Sequence, residues 1–119
     1  MKIVVDAMGG DHAPKAIVEG AVMAVKECDV QITLTGLSGL IEAELSKYGD
    51  RAKLPIEVVH AEDVVEMHEA PSKVLRGKKK SSIKIGLELV KEGHASAFVS
   101  AGNTGAVLAF ATFTLRPLK

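Results

Sequence analysis

A short run of small and polar residues near the end of the chain carries the clearest chemical signal. It joins an apolar run at residues 95–99, typical of a buried strand, to an apolar run at residues 107–115 that predicts a helix. A turn from a strand into a helix N-terminus leaves backbone N–H groups that can bind an anion. A plain turn capped by Asn or Thr is the alternative. The turn contains Ser100, Gly102, Asn103, Thr104 and Gly105.

A second turn of the same kind follows the apolar run at residues 2–5. Asp6 lies at the end of this predicted strand, where open α/β sheets collect ligands. Gly9 and Gly10 permit positive φ, so successive N–H groups can form a concave nest. Pro14 suits the first turn of a helix. If both strands are parallel, the two turns face one crevice, which predicts a phosphate site.

The order of the remaining segments predicts an α/β fold with parallel strands. Apolar runs alternate with segments of helical periodicity, which favours right-handed crossovers with helices on both faces of a sheet. We expect strands at residues 2–5, 31–35, 55–60 and 95–99, and helices at residues 14–27, 37–47, 72–77, 82–92 and 107–115.

Composition limits the functional classes. The 119 residues suit one small domain, and 47% hydrophobic content can build a core. Fifteen basic and fifteen acidic residues balance, so the chain has no overall attraction to nucleic acid or to anionic membranes. Cys28 is the only cysteine, which fits a reducing compartment and a cytoplasmic protein. The basic stretch at residues 73–84 is either a solvated face or a dock for an acidic partner.

Four blocks of sequence, in order, closely resemble bacterial phosphate acyltransferases, the PlsX family. They begin at the first residue and end in the turn after the last predicted strand. The blocks are MKIVVDAMGGDHAP at residues 1–14, EAP at 69–71, RGKKKSS at 76–82 and VSAGNTGA at 99–106.

The resemblance implies a transferase that makes acyl phosphate from inorganic phosphate and a fatty acyl thioester of acyl carrier protein, for phospholipid synthesis. It also implies a three-layer sandwich like that of isocitrate and isopropylmalate dehydrogenases and phosphate acetyltransferases. Residues 1–119 would be a single α/β unit, the N-terminal third of a longer homodimeric enzyme. No cofactor is implied, and peripheral membrane association of the full-length protein is left open.

The reaction that this resemblance implies suggests a role for each candidate residue. Phosphate itself attacks, so no serine or cysteine nucleophile is needed. His12 could act as general acid or base, or only bond locally at the helix entry. Asp6 and Asp11 could orient His12 or cap the first helix. Catalytic roles are assigned to Asp6, His12 and Asn103. Phosphate or substrate binding is assigned to Gly9, Gly10, Asp11, Lys79, Ser81, Ser82, Ser100, Gly102, Thr104 and Gly105.

Other functions find less support. The histidines are not paired at metal-ligand spacing, so we expect no metal. Aromatic residues make up 3% of the chain, too few for stacking on nucleic acid. The first strand is not followed by a Gly-x-Gly-x-x-Gly motif of nucleotide-binding enzymes. The remaining alternative is a fragment that binds phosphate or a nucleotide without turnover.

Overall fold

Four parallel strands form one sheet at the centre of the protein. The computed structural model describes residues 1–66, 69–78 and 80–102. The strands are β1 (Lys2–Asp6), β2 (Gln31–Gly36), β3 (Ile56–His60) and β4 (Ala97–Val99). The helices are α1 (Lys15–Glu27), α2 (Ser38–Leu45), α3 (Pro71–Gly77) and α4 (Ser82–Lys91). The predicted α/β class is confirmed.

The strand order places the ends of β1 and β4 side by side. The order is β3-β2-β1-β4, so β1 pairs with β2 on one edge and with β4 on the other. Val5 lies opposite Leu34 in β2 and opposite Val99 in β4. The sheet grows from β1 to β3 in one direction, and β4 is then added on the opposite side. Such a switch point is where α/β sheets bind ligands, just beyond the carboxyl ends of the strands.

Side chains of β2 alternate between two helical layers. Ile32 and Leu34 pack in a cluster with residues of α1 and α2, which lie together on one face. Thr35 points to the other face, where its hydroxyl donates to the carbonyl of Ser82 at the start of α4 (2.9 Å). The helices therefore cover both faces, and the predicted three-layer arrangement is confirmed. A second cluster contains Val65, Val74, Ile83 and Leu87, with Phe98 against it.

The absence of a side chain at Gly86 allows α4 to approach the sheet closely. A Cβ atom at this position would overlap the ring of Phe98 and lie 3.2 Å from Cγ1 of Val4. The packing positions the N-terminal end of α4 beside the end of β1. The helix dipole there favours a negative charge.

The element bounds differ from the predicted ones by a few residues. The second helix was expected to reach residue 47, but α2 ends at Leu45 and a 3-10 turn follows at Ser46–Tyr48. The Ser46 hydroxyl donates to the carbonyl of Ala43 (2.7 Å), and Gly49 then adopts a positive φ of 95°. The predicted helix at residues 107–115 lies outside the described residues. In the described part of the chain, every helix is too short or too polar to cross a membrane.

Candidate functional site

The two glycine turns predicted from the sequence meet beyond the ends of β1 and β4. A Cβ atom at Gly9 would lie 2.7 Å from the backbone nitrogen of Gly102 and 3.0 Å from its Cα atom. Only a residue without a side chain permits this approach. Gly10 has a different role, because it is the residue that adopts a positive φ, 92°. One glycine thus allows the contact, and the next adopts a backbone conformation that favours glycine.

A buried carboxylate lies beneath this contact. Asp6 is 1% exposed, and its Oδ2 atom would lie 2.8 Å from a Cβ atom at Gly9. Oδ2 accepts a hydrogen bond from the Ser100 hydroxyl (2.8 Å). Oδ1 accepts bonds from the Ser82 hydroxyl (2.5 Å) and the Met8 backbone N–H (3.0 Å). Three donors compensate for the desolvation of this charge, and they tie β1 to α4 and to the turn after β4.

The backbone amides of the two turns differ in their partners. The Gly102 N–H donates to the Ser100 hydroxyl oxygen (3.0 Å), and the Met8 N–H is taken by Asp6. The amides of Gly9 and Gly10 form no hydrogen bond with any described residue. These two amides are therefore among the donors that remain for a ligand in the turn after β1.

Ser81 and Ser82 were expected to offer hydroxyls to phosphate, and the structure gives both hydroxyls partners within the protein. Ser81 caps α4, because its Oγ atom accepts the Lys84 N–H (3.1 Å). Ser82 donates to Asp6. Both residues are buried.

His12 and Asp11 are exposed in the loop between β1 and α1. The prediction that Asp6 orients His12 is wrong for this structure, because the hydrogen bonds of the Asp6 carboxylate go to Ser82, Ser100 and Met8. The prediction that Asp6 or Asp11 caps the first helix is also wrong. α1 begins after Pro14 with no side-chain cap, since Asp6 is occupied at the end of β1.

A cleft of about 360 Å³ opens beside the turn after β1. It separates the loop after β1 from the segment after β3, and Asp11 and Glu66 give it an acidic rim. Carboxylates repel a phosphate ion, so this cleft suits a neutral group better than an anion. Its lining residues are Met8, Gly10, Asp11, Ala13, Val64, Val65 and Glu66.

Several lysines of the basic stretch are paired with acids. Lys78 bonds to the Glu69 carboxylate and the Val64 carbonyl. Lys80 lies 3.8 Å from the Glu62 carboxylate, and Lys84 lies 3.3 Å from that of Glu88. The solvated face that the sequence allowed as an alternative accounts for these three residues.

Four candidate residues fall in parts of the chain that the structure does not describe. They are Lys79, Asn103, Thr104 and Gly105. Within residues 1–66, 69–78 and 80–102, His, Cys, Asp and Glu side chains form no group of three that could hold a metal ion. The expectation that the reaction uses no metal stays a prediction.

Thr35 supports the site and was missed in the sequence. It is fully buried, and its hydroxyl anchors the carbonyl of Ser82, the residue that bonds to Asp6. The available signal was its place in β2, where it is one of two threonines that alternate with Ile32 and Leu34. Polar residues at alternate positions of a buried strand need partners on one face.

Comparison with known proteins places the chain in a family. It matches the family described as "Fatty acid synthesis protein" over residues 1–119. The phosphate acyltransferase of Clostridioides difficile (strain 630) is 52% identical over 120 residues, covering 100% of this chain and 35% of that protein. The phosphate acyltransferase of Alkaliphilus oremlandii is 53% identical, and that of Geobacter sulfurreducens is 49% identical, each over 100% of this chain. The chain spans about a third of the length of these curated relatives (35%, 35% and 34%). With a match along its whole length, the chain belongs to the fatty acid synthesis protein family.

Proposed function

We propose that this chain forms part of a phosphate acyltransferase and supplies its phosphate site at the junction of β1 and β4. The observation that carries the proposal is the contact of Gly9 with Gly102 above the buried Asp6 carboxylate. Two strand-end turns pressed together at a switch point, with the Gly9 and Gly10 amides unbonded to any described residue, form a small candidate site for a ligand. The names of the relatives supply the reaction class.

Phosphate lies in the turn after β4. The half-buried Ser100 and the backbone at Gly102 form the described part of this turn. Asn103, Thr104, Gly105 and Lys79 are the donors to this ion that the sequence assigns. Ser82 supports Asp6 and Ser81 starts α4, so neither is needed as a direct ligand.

The acyl thioester lies in the cleft beside Gly10. A phosphate oxygen attacks the thioester carbonyl, the carbon–sulfur bond breaks, and the products are acyl phosphate and a thiol. The Gly9 and Gly10 amides donate to the oxyanion that develops, and one such donor contributes about 3 kcal/mol to transition-state stabilisation. The exposed imidazole of His12 gives a proton to the leaving thiolate.

The physiological setting is part of the same proposal. The acyl donor is a fatty acyl thioester of acyl carrier protein, and the acyl phosphate feeds phospholipid synthesis. The whole protein is a cytoplasmic homodimer, and peripheral association with the membrane brings its product to the next enzyme. Sedimentation of the purified protein alone tests the homodimer, and sedimentation with anionic vesicles tests the association with the membrane.

The function is tested by turnover. Acyl carrier protein thioester and inorganic phosphate are mixed with the longest natural polypeptide that contains this sequence, and acyl phosphate is trapped as the hydroxamate. We expect hydroxamate that depends on phosphate and is abolished by Gly102→Val, because a larger side chain cannot fit against Gly9. Gly20→Val is the matched control, since nothing lies within 4 Å of a Cβ atom at Gly20.

Two outcomes would contradict the proposal in different ways. Phosphate binding with no turnover would favour the binding fragment over the enzyme. Full activity in Gly102→Val would place the phosphate site elsewhere.

A further inference from the structure

The hydroxyl proton of Ser100 is committed to Asp6. A hydroxyl has one donor hydrogen and two acceptor lone pairs, whereas an ionised carboxylate can only accept. Ser100 therefore donates to Asp6 Oδ2 (2.8 Å) and accepts from the Gly102 N–H (3.0 Å). One lone pair of the Ser100 oxygen is left, and this residue is half-buried.

Asp6 holds this arrangement in one orientation. Its other oxygen already receives the Ser82 hydroxyl and the Met8 N–H, and the residue is 1% exposed. If Ser100 turned its hydrogen outward, Oδ2 would lose its hydrogen bond in a place that water does not reach. Leaving a buried charged acceptor without its donor is costly. Ser100 consequently meets a ligand as an acceptor.

We propose that Asp6, acting through Ser100, makes the site select a tetrahedral anion that still carries a proton, inorganic phosphate over sulfate. This inference rests on the proposed phosphate site. Phosphate keeps at least one P–O–H group near neutral pH and can donate to Ser100, whereas sulfate has no hydrogen to donate. The two ions have nearly the same shape, so a donor–acceptor difference is the available means of discrimination.

The negative charge of Asp6 strengthens this selection. Its Oδ2 atom would lie 3.4 Å from a Cβ atom at Gly102, so it is close to any anion in the turn. An anion that forms the hydrogen bond to Ser100 offsets part of this repulsion, and an anion without a hydrogen does not. Specificity built on such a repulsive element is common in natural sites.

The experiment is a calorimetric titration of the chain with inorganic phosphate and with sulfate at neutral pH and equal ionic strength. We expect phosphate to bind at least about tenfold more tightly than sulfate. A fully buried hydrogen-bonding group can give a larger ratio of affinities, but Ser100 is only half-buried. Asp6→Asn and Ser100→Ala should bring the ratio close to one. Ser100→Thr keeps the hydroxyl and should therefore keep the preference for phosphate.

Ser46→Ala is the matched control. It removes a hydroxyl that donates to the carbonyl of Ala43 at the end of α2, outside the site, so it should keep the phosphate preference. Circular dichroism identifies any variant that does not fold. If a variant does not fold, the ratio of phosphate to sulfate affinity in the wild type still tests the inference. Equal affinity for the two ions in the wild type would overturn this inference and leave the phosphate site standing. Binding of neither ion would overturn the proposed function and this inference with it.

Discussion

Replacing Gly9 with alanine tests whether the two turns must touch. The added Cβ atom would lie 2.7 Å from the Gly102 nitrogen and 2.8 Å from Asp6 Oδ2. An unstrained contact needs about 3.5 Å. The first neighbour is a backbone atom, and the second belongs to a carboxylate held by hydrogen bonds to Ser82, Ser100 and Met8, so the turns must separate. Overpacking of this kind costs about 1–3 kcal/mol, and weakening a hydrogen bond to the buried carboxylate adds to it.

We therefore expect Gly9→Ala to lower the free energy of unfolding by about 2–4 kcal/mol, a large share of the ~5–15 kcal/mol typical of a domain. Urea denaturation followed by circular dichroism measures it, with an unchanged slope m if the denatured state is unaffected. Gly102→Ala should cost less, because the nearest atom to its Cβ is the Ser100 hydroxyl oxygen at 3.1 Å. Gly20→Ala, in open space on α1, should stabilise the chain by about 0.5–1 kcal/mol through helix propensity. If Gly9→Ala were as stable as Gly20→Ala, the described contact between the turns would be wrong.

Three further substitutions test the packing of α4 and the first turns of α2 and α4. Gly86→Ala should lower the free energy of unfolding by about 1–3 kcal/mol, because its methyl group meets the Phe98 ring. Adding Phe98→Leu to the same chain should recover part of this loss. Additive losses in the double mutant would argue against the contact. Ser81→Ala should cost about 1 kcal/mol by removing the cap of α4. His60→Ala should cost a similar amount, about 1 kcal/mol, because its Nδ1 atom accepts the Ser38 N–H at the start of α2 (3.2 Å). Urea midpoints measure all three, and an unchanged midpoint in either cap variant would show that the bond contributes nothing.

Periodicity was enough to place most elements. Residues 3–5 are all apolar because β1 lies inside the sheet with helices on both faces. β2 is covered on both faces as well, yet threonines alternate there with Ile32 and Leu34. Neither pattern carries a signal for which neighbour each strand takes. The alternation of strands and helices nonetheless predicted the three layers.

The site was only partly accessible from the sequence. Both glycine turns were identified, because glycine next to a strand end is a local signal. The partners of Asp6 are not local: Ser82 lies 76 residues away and Ser100 lies 94 residues away. For that reason Asp6 was assigned to His12 or to a helix cap, the groups nearest in sequence, although the fold directs its carboxylate to the other face of the sheet.

We expect phosphate to bind in the turn after β4, where this turn meets the turn after β1. The most direct test is a titration of the uniformly 15N-labelled chain with inorganic phosphate, followed by the backbone amide resonances. We expect saturable shifts that are largest at Ala101 and Gly102 in the turn after β4, and smaller at Gly9, which touches Gly102. Saturable shifts confined to another part of the chain, or no saturable shift at all, would contradict it.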